Sequence, residues 1–329
     1  MQRHSLMVQI AALAIVAAAS LLLAERHPAA ADEAWPQRTV RFILPLGGGS
    51  GSDIGARLFA ERLTARWGQP VVIENRPGGD AFVAITAFLA AHDDHTLLFA
   101  PTSTFTAHPI LHQKLPYDPR DLVPIARITN TLISISVPAA LNVGSLKELV
   151  SLARAKPGKL NRASITGAID LVLSGFLKGR DLDVAKVPYR DPVQAVTDLA
   201  ENRIQIYTSA YAIVQAQQQA GTIKPLAMTN QTRAPTAPDI PTAAEAGYPE
   251  LTIDGLVGLF GPPNMPAALR ERIAADVRAV AADPGIEPRL IQTGQILNPG
   301  TPAQFGAAIE EQTAKLAAIA RALDIKPED

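Results

Sequence analysis

The stretch TVRFILPLGGGSGSDIGARLFAERLTARWG, residues 39–68, places an apolar run, a glycine-rich turn and an amphipathic segment in succession. Residues 39–44 have the length and composition of a strand that is buried on both faces. From Ser52 onward, apolar residues recur at helical spacing on one face, and Gly68 supplies a stop signal. A strand that leads through a tight turn into a helix is typical of an α/β protein. The residues that share the helix face are Ala56, Phe59, Ala60, Leu63 and Trp67.

Strand and helix signals alternate through the rest of the chain, which predicts parallel sheets covered by helices. Eight or nine strands can form one barrel or two small sheets. We favour two sheets because the 27 prolines cluster at element ends and extended segments near 129–138 and 250–260 can connect two lobes. The strand-like runs are TVRFIL (39–44), VVIE (71–74), TLLFA (96–100), LISISV (132–137), VAKVPY (184–189), RIQIYT (203–208), KPLAMT (224–229) and GLVGLF (255–260). Helix starts are marked by Ser145 with Glu148, Asp191 with Gln194, Pro266, and Thr301 with Gln304.

Composition narrows the classes of protein that this chain can be. Its 329 residues are 47% hydrophobic, which suggests two globular domains and excludes a disordered chain. With 30 Lys and Arg against 31 Asp and Glu, the chain lacks the broad positive field that nucleic-acid binding needs. It contains no cysteine, which excludes disulfides, thiolate metal sites, a cysteine nucleophile and a lipid-modified cysteine.

Residues 1–31 have the features of a secretory signal peptide. A basic start is followed by an uncharged, largely apolar run from Met7 to Ala24 and by small residues that end at Ala31. Cleavage there would start the mature chain at Asp32. The alternative is an N-terminal membrane anchor, for which this run is at the lower limit of length. Export leads to the periplasm if the source is a Gram-negative bacterium.

The turn PLGGGSGSD, Pro45 to Asp53, is the densest local signal for a binding site. Its glycines allow backbone N–H groups to approach a ligand, and Ser52 can cap the following helix, whose N-terminus attracts anions. A tight turn that binds nothing explains the same residues, and the local sequence leaves both interpretations open. Hydroxyl and small residues follow other strand ends, where ligands bind in open α/β sheets. These are Thr102, Ser103, Thr104, Ser164, Thr166, Gly167 and Ser209.

Three enzyme motifs fail at this turn because Ser52 stands where each motif needs another residue. A P-loop needs Lys there, a GxGxxG fingerprint that starts at Gly47 needs Gly, and a GxSxG elbow around Ser50 also needs Gly. A serine nucleophile therefore has little support, and we expect no cofactor.

The second glycine-rich stretch is ENRPGGD, Glu74 to Asp80. We interpret it as a turn that ends a strand before a helix at 81–91, with Glu74 and Arg76 paired locally. A loop that faces the binding cleft is the alternative.

The notable feature of the next segment is its histidines, whose H-x2-H and H-x3-H spacings occur in zinc sites. Because these segments resemble loops, which do not align the rings, we expect solvated turn histidines and no metal at His92, His95, His108 and His112.

Several segments together resemble the Bug family, the extracytoplasmic solute receptors of tripartite tricarboxylate transporters. The match runs from Trp35-Pro36 to the last helix, and the order and spacing of the segments carry it. The matching segments are WPQRTVRFILPLGGGSGSDIGARLFAERL (35–63), GQPVVIENRPGG (68–79), KLPYDPRDLVPIARI (114–128), AKPGKLNRAS (155–164), VPY (187–189), PDIPTAAEAGYPEL (238–251) and GLFGPPNMP (258–266).

The resemblance implies a two-lobed type II periplasmic binding protein (a Venus flytrap) in which each lobe is a mixed sheet flanked by helices. It places lobe 1 at 32–137 plus 253–329 and lobe 2 at 138–252. It also implies that loop amides and hydroxyls hold a small carboxylate, with the second-lobe contacts in the loop from Ser164 to Asp170. The candidate ligand-binding residues are Leu46, Gly47, Gly48, Gly49, Ser50, Gly51, Ser52, Asp53, Ser103, Thr104, Ser164, Thr166, Gly167, Ala168 and Ser209.

The sequence departs from the family pattern at five places. Gly47-Gly48 stands where prolines are common, Asp80-Ala81 replaces further glycines, and the Asp94–Leu97 segment lacks a residue of the usual DGYTL. The loop at 165–172 lacks the usual Gly-Ser pattern. Ser209 stands where an Asp is frequent, which argues against amino-acid ligands because a buried ammonium without a partner is costly.

The leading hypothesis is a periplasmic receptor that closes on a small carboxylate and delivers it to the membrane permease subunits of a tripartite tricarboxylate transporter. We expect a monomer that binds no nucleic acid and has no catalytic activity. Two alternatives are an exported α/β hydrolase that uses Ser50 and a ligand receptor for a sensory partner.

Overall fold

The computed structural model describes residues 35–164, 167–189 and 191–327. All described helices and strands lie in Thr39–Asp329, the second of the two units into which the chain divides. The predicted signal peptide at 1–31 lies outside the described residues. Among the residues that are described, no helix is long and apolar enough to cross a membrane.

Strands and helices alternate through the described part of the second unit. The strands are β1 (Val40–Leu44), β2 (Val71–Asn75), β3 (Thr96–Pro101), β4 (Val123–Thr131), β5 (Ile133–Pro138), β6 (Leu160–Ser164), β7 (Val184–Pro188), β8 (Tyr207–Ala210), β9 (Ile223–Met228), β10 (Gly255–Gly261) and β11 (Gln295–Leu297). The α-helices are α1 (Gly51–Trp67), α2 (Phe82–Leu89), α3 (Ser103–Leu111), α4 (Leu146–Ala155), α5 (Ala168–Gly179), α6 (Pro192–Ala200), α7 (Tyr211–Gln219), α8 (Ala267–Ala281), α9 (Glu287–Ile291) and α10 (Pro302–Leu323).

The larger sheet has six strands in the order β11-β4-β10-β3-β1-β2. β1 pairs in parallel with β2 and β3, whereas β10 is antiparallel to β3 and β4, and β11 is antiparallel to β4. The predicted α/β class and the mixed sheet implied by the family resemblance are confirmed. The expectation of parallel sheets from strand–helix alternation alone is wrong. After β9 the chain returns from the smaller sheet to the larger one, and the strand that it forms there, β10, is antiparallel to β3.

The smaller sheet system is built from two groups of strands that share hydrogen bonds. β5 lies between β8 and β9 and is antiparallel to both, while β6 and β7 form a parallel pair. The amide of Ala163 in β6 donates to Ile206 O at 2.9 Å, and the amide of Ile206 donates to Asn161 O at 3.1 Å, so β6 also pairs with the residue that precedes β8. Open sheets, and not a barrel, therefore account for the strands in the described ranges.

Two crossings join the two sheet systems. The first is at Leu132, between β4 and β5, and the second runs from β9 to β10. The crossings are tied to each other, since Thr229 N donates to Ile133 O at 2.8 Å and Ile253 N donates to Thr229 O at 2.8 Å. They coincide with the two extended segments that the sequence indicated as connectors.

The continuity of apolar residues along a strand, and not burial alone, explains which strands the sequence predicted, since β6 is as buried as β1 and was missed. β1, β3, β5 and β10 are almost completely buried, and each appears in the sequence as a continuous apolar run. β4 and β6 were not predicted because polar or charged residues interrupt them, and β11 was not predicted because it has only three residues. The strand expected at 203–208 is displaced, and β8 begins only at Tyr207.

Candidate ligand-binding site

The glycine-rich turn after β1 ends at Ser50, which caps α1. Ser50 Oγ accepts a hydrogen bond from the Asp53 amide at 3.2 Å, and Ser50 O accepts one from the Ile54 amide at 2.9 Å. The expectation that Ser52 caps the helix is wrong, because the helix starts at Gly51 and Ser52 lies in its first turn.

Gly51 allows the start of α1 to approach the segment before β11. A Cβ atom at Gly51 would lie 2.7 Å from Thr293 O and 3.1 Å from Gln295 Nε2. Real Cβ atoms do not approach a backbone oxygen so closely, so any side chain here would push the two segments apart. The turn therefore needs glycine at this position for its packing.

Asp53 fixes the turn from inside the protein. One carboxylate oxygen accepts from Gly49 N at 2.9 Å and from Arg57 Nε at 3.0 Å, and the other accepts from Asn75 Nδ2 at 2.9 Å. Burial raises the pKa of Asp53, but the hydrogen bonds from Arg57, Gly49 and Asn75 outweigh it and hold the pKa below its usual range. Asn75 also donates to Leu46 O at 2.9 Å, which ties the turn to the end of β2.

Two amides at the start of α1 have no acceptor among the described residues. The Gly49, Ser50 and Asp53 amides are hydrogen-bonded within the turn, whereas the Gly51 and Ser52 amides make no such bond. The first N–H groups of a helix have no intrahelical partner and need an acceptor from outside. Since both residues line a cleft, these amides are available to a ligand.

The N-termini of four helices converge on this cleft, which we call the ligand cleft. α1 contributes Gly51 and Ser52, and α3 contributes Ser103. α5 contributes Ile169, and α7 contributes Ala212. The ligand cleft encloses about 530 Å³ between elements of the larger and the smaller sheet. Its lining residues are Leu46, Gly49, Ser50, Gly51, Ser52, Ile54, Pro101, Ser103, Thr131, Ile133, Ile169, Ala210, Ala212, Ile213, Gly255, Gln292, Thr293 and Gln295.

The ligand cleft combines polar groups with a largely apolar wall and has no charged side chain among the described residues that line it. Among the described residues that line it, none has an ionisable side chain. Each helix N-terminus is equivalent to roughly half a positive charge, and the four together favour an anion. Apolar side chains cover much of the remaining wall. The cleft is therefore suited to a small molecule that has an anionic group and an apolar body.

The candidate residues from the sequence fall into three groups. Six of them line the ligand cleft: Leu46, Gly49, Ser50, Gly51, Ser52 and Ser103. Others lie outside its wall: Gly47 and Gly48 are exposed, Asp53, Ser164, Ala168 and Ser209 are buried, and Gly167 lines a second cavity. Thr166 lies outside the described residues, and Thr104 lies in the first turn of α3 with a side chain that is not described.

Sequence reasoning missed the part of the wall that comes from the crossings and from β11. Gln295 links these elements, since its Oε1 accepts from Thr129 Oγ1 at 2.9 Å and its Nε2 donates to Thr131 Oγ1 at 3.0 Å. β11 has three residues, which is too short for a periodic signal. Thr131 and Gly255 could have been found, because they lie in the extended segments that indicated connectors.

A second cavity of about 420 Å³, which we call the charged cavity, has a different wall. Arg162, only 5% exposed at its side chain, pairs with Asp170 and donates from Nη2 to Ser174 Oγ at 2.7 Å. Lys186 Nζ donates to the other oxygen of Asp170 at 3.0 Å. The lining residues are Asp80, Leu111, His112, Gly167, Asp170, Leu171, Ser174, Lys186, Ile325 and Lys326.

The structure corrects the interpretation of the histidines. His108 lies within α3 and His112 is its C-cap, so this segment is not a loop. His95 and His108 are buried and not solvated. His95 directly precedes β3, and the ring of His108 packs against Phe82, the first residue of α2. The turn that contains Glu74 and Arg76 is as predicted, with Arg76 Nε donating to Glu74 Oε1 at 2.7 Å before α2.

The family profile of the tripartite tricarboxylate transporter family receptor matches residues 55–325. The chain belongs to this family of solute-binding receptors. It is 28% identical over 317 residues to a UPF0065 protein of Bordetella bronchiseptica, covering 94% of this chain and 92% of that protein. It is also 28% identical over 240 residues to the protein BugT of Bordetella pertussis, covering 71% and 73% of the two chains.

A solved structure supports the same assignment of fold. An R. palustris protein, solved with adipate, aligns with a TM-score of 0.78 and 27% identity, covering 89% of this chain and 100% of that chain. The fold is thus that of the periplasmic binding proteins of the Bug type, and the family that the sequence resembles is confirmed.

Proposed function

We propose that this receptor captures a small carboxylate in the ligand cleft and delivers it to the permease subunits of a tripartite tricarboxylate transporter. The observation that carries this proposal is the pair of unpartnered amides at Gly51 and Ser52, at the point where four helix N-termini meet. A carboxylate supplies two oxygen acceptors, and a helix N-terminus stabilises its charge without a cationic side chain. The adipate-bound relative is consistent with this ligand class.

The wall of the ligand cleft narrows the choice of carboxylate. No carboxylate side chain lines it within the described ranges, so an amino-acid ammonium would have no anionic partner there. No lysine or arginine in those ranges lines it either, which disfavours a compact trianion. Leu46, Ile54, Ile133, Ile169 and Ile213 provide apolar contacts. We propose a mono- or dicarboxylate with an aliphatic or aromatic body.

We propose that the protein closes around this ligand as two lobes, 32–137 with 253–329 and 138–252. The crossings at Leu132 and between β9 and β10 are the natural hinge, because few strands pass between the sheet systems there. Helix α10 does not fit this division into two lobes, because it packs against both sheet systems. Its residues Leu316 and Ile319 pack in the core of the smaller sheet system, while Phe305 packs against the larger sheet. Closure would therefore also require α10 to shift against one lobe.

The two alternatives receive less support than transport. A hydrolase that uses Ser50 would need a histidine at the cleft, and no histidine lines it among the described residues. Ser50 Oγ is instead engaged as the cap of α1. We propose that the protein is not an enzyme, that it reaches the periplasm after cleavage near Ala31, and that it acts as a monomer. A sensory partner in place of the permease would be identified by a pull-down with the ligand-loaded protein.

Calorimetric titration with matched ligands tests the proposed function. We expect one-to-one binding of an aliphatic or aromatic carboxylate without turnover. The corresponding primary amide should bind at least roughly tenfold more weakly, because a charged hydrogen bond is worth about 1.5–3 kcal/mol. The α-amino acid of the same length is the control for the missing ammonium partner. Equal affinity for acid and amide would contradict the proposal, as would product formation that is lost in Ser50→Ala.

A further inference from the structure

Asp80, His108 and His112 form a compact cluster at the C-terminal end of α3, outside the wall of the ligand cleft. One ligand atom from each residue lies within 4.8 Å of the other two. Asp80 Oδ2 is 3.4 Å from His108 Nε2 and 3.2 Å from His112 Nε2. The two histidines are four residues apart, and this spacing aligns two rings on one face of a helix.

The two distances from Asp80 Oδ2 match edges of a metal coordination polyhedron. Zinc binds imidazole nitrogen and carboxylate oxygen at about 2.0–2.1 Å, so neighbouring ligand atoms in a tetrahedron lie about 3.3 Å apart. The two edges at Asp80 are within 0.1 Å of that value on either side. Two imidazoles and one carboxylate are also a donor set that suits divalent transition metals.

His108 carries the second and independent observation. Its side chain is fully buried, and Nε2 has no hydrogen-bond partner among the described residues although it faces Asp80. Buried polar atoms in native proteins are nearly always paired, so an orphaned ring nitrogen requires an explanation. A metal ion bound to Nε2 would supply the missing partner, and it would replace the hydrogen bond of 3.2 Å that now joins Asp80 Oδ2 to His112 Nε2.

The surroundings of His108 have the features of a second coordination shell. His108 Nδ1 lies 2.7 Å from the hydroxyl oxygen of Tyr117. If Nδ1 donates to this hydroxyl, Nε2 keeps its lone pair for a metal, which is the usual arrangement of a ligating histidine. Phe82 covers the site, with its ring centroid 4.5 Å from that of His108 and 5.1 Å from that of His112.

An ion can reach the cluster from one side. Asp80 and His112 line the charged cavity, while His108 is enclosed behind them. The side chain of His112 is 28% exposed and that of Asp80 is 30% exposed. This cavity therefore provides both an entry path and room for a water molecule as the fourth ligand, as a three-residue zinc site requires.

We propose that Asp80, His108 and His112 bind one divalent transition-metal ion of the zinc class. This metal site is separate from the ligand cleft, whose wall contains none of the three residues.

Zinc titration of the purified protein, prepared without a polyhistidine tag and treated with EDTA, tests the site. We expect one zinc ion per chain and a higher melting temperature with zinc. Asp80→Asn and His112→Gln should each weaken zinc binding by at least roughly tenfold, and Tyr117→Phe by about tenfold, which is the scale of second-shell losses. Both ligand substitutions involve partly exposed side chains, so the fold should survive, which circular dichroism checks.

His92→Asn is the matched control, because His92 lies outside the cluster and its φ of 50° is tolerated by Asn. It should bind zinc as the unmodified protein does. Zinc affinity that is unchanged in both Asp80→Asn and His112→Gln would overturn the proposal, as would no binding up to roughly 1 mM zinc. Carboxylate titration of the same variants should give unchanged affinity, which separates failure of this site from failure of the ligand cleft.

Discussion

The ligand cleft and the charged cavity share helix α5 but use opposite chemistry. The first residues of α5 reach the ligand cleft, whose described wall contains no ionisable side chain. The next residue after Ile169, Asp170, lines the charged cavity together with Asp80, His112, Lys186 and Lys326. The two cavities, of about 530 and 420 Å³, therefore differ in the source of their electrostatic field. Helix N-termini supply it in the ligand cleft, and charged side chains supply it in the charged cavity.

The difference shows what each cavity can bind. Helix N-termini are fixed by the backbone, so the ligand cleft presents its donors without reorganisation and without counter-charges that need pairing. The charged side chains of the other cavity are engaged with one another, as in the contacts of Asp170 with Arg162 and Lys186. A carboxylate fits the first environment, whereas a cation that is shared between existing ligands fits the second.

The largest effect is expected from breaking the buried pair in the charged cavity. Asp170→Asn leaves Arg162 as a buried cation without an anion, which should lower the free energy of unfolding by about 3–5 kcal/mol. Lys186→Met is the control, because its side chain is 55% exposed and such a pair contributes at most about 1 kcal/mol. Urea unfolding measures both. A loss in Asp170→Asn no larger than in Lys186→Met would show that this cavity does not depend on its buried pair.

An intermediate effect is expected from removing one backbone donor in the ligand cleft. Ser52→Pro deletes the amide in the first turn of α1, where proline is tolerated. We expect carboxylate affinity to fall about 30-fold, in line with a charged hydrogen bond of about 2 kcal/mol. Ser52→Ala retains the amide and should bind within about twofold of the unmodified protein. If the two variants bind alike in calorimetry, the hydroxyl or neither group holds the ligand.

The smallest effect is expected at Asp53, the buried carboxylate beneath the ligand cleft. Asp53→Asn should lower the free energy of unfolding by about 1–2 kcal/mol at pH 7, because hydrogen bonds to a charged acceptor are lost. The pKa of Asp53 is lowered in the folded protein, so its contribution is present above its unfolded pKa of about 3.9 and disappears as pH falls through the folded pKa. The difference in unfolding free energy between the two proteins should therefore begin to shrink below about pH 4 and vanish below the folded pKa of Asp53. A difference that stays constant across pH would contradict this account.

Local sequence signals predicted the parts of the fold that depend on local physics. The capping pair of Thr301 and Gln304 forms in both directions, with amide-to-side-chain distances of 2.9 and 3.2 Å. Gly68 ends α1 in the left-handed conformation, with φ of 66°. The wrong choice of Ser52 as the cap of α1 also concerns local sequence, since Ser50 and Ser52 are both residues that can cap a helix.

The histidine cluster shows what local signals do not contain. Pro109 lies inside α3, a segment that the sequence by itself indicated as a loop. Tertiary packing stabilises this short helix against its low propensity, with Phe105 in the core beside the ring of Phe260. Asp80 contacts His108 and His112 of this helix from a turn that lies 28 residues before His108 in the sequence. No periodic pattern in the sequence predicts a contact across that separation.

The sequence by itself determined the α/β class, the glycine-rich strand-to-helix turn at 45–53 and the family, because each depends on short-range backbone preferences or on ordered motifs. Only the tertiary structure decided which loops share a wall: it joined the starts of α1, α3, α5 and α7 in one cleft and brought Asp80 to His108 and His112. Such convergence depends on how sheets and helices pack across long sequence separations, and residue spacing along the chain does not encode it.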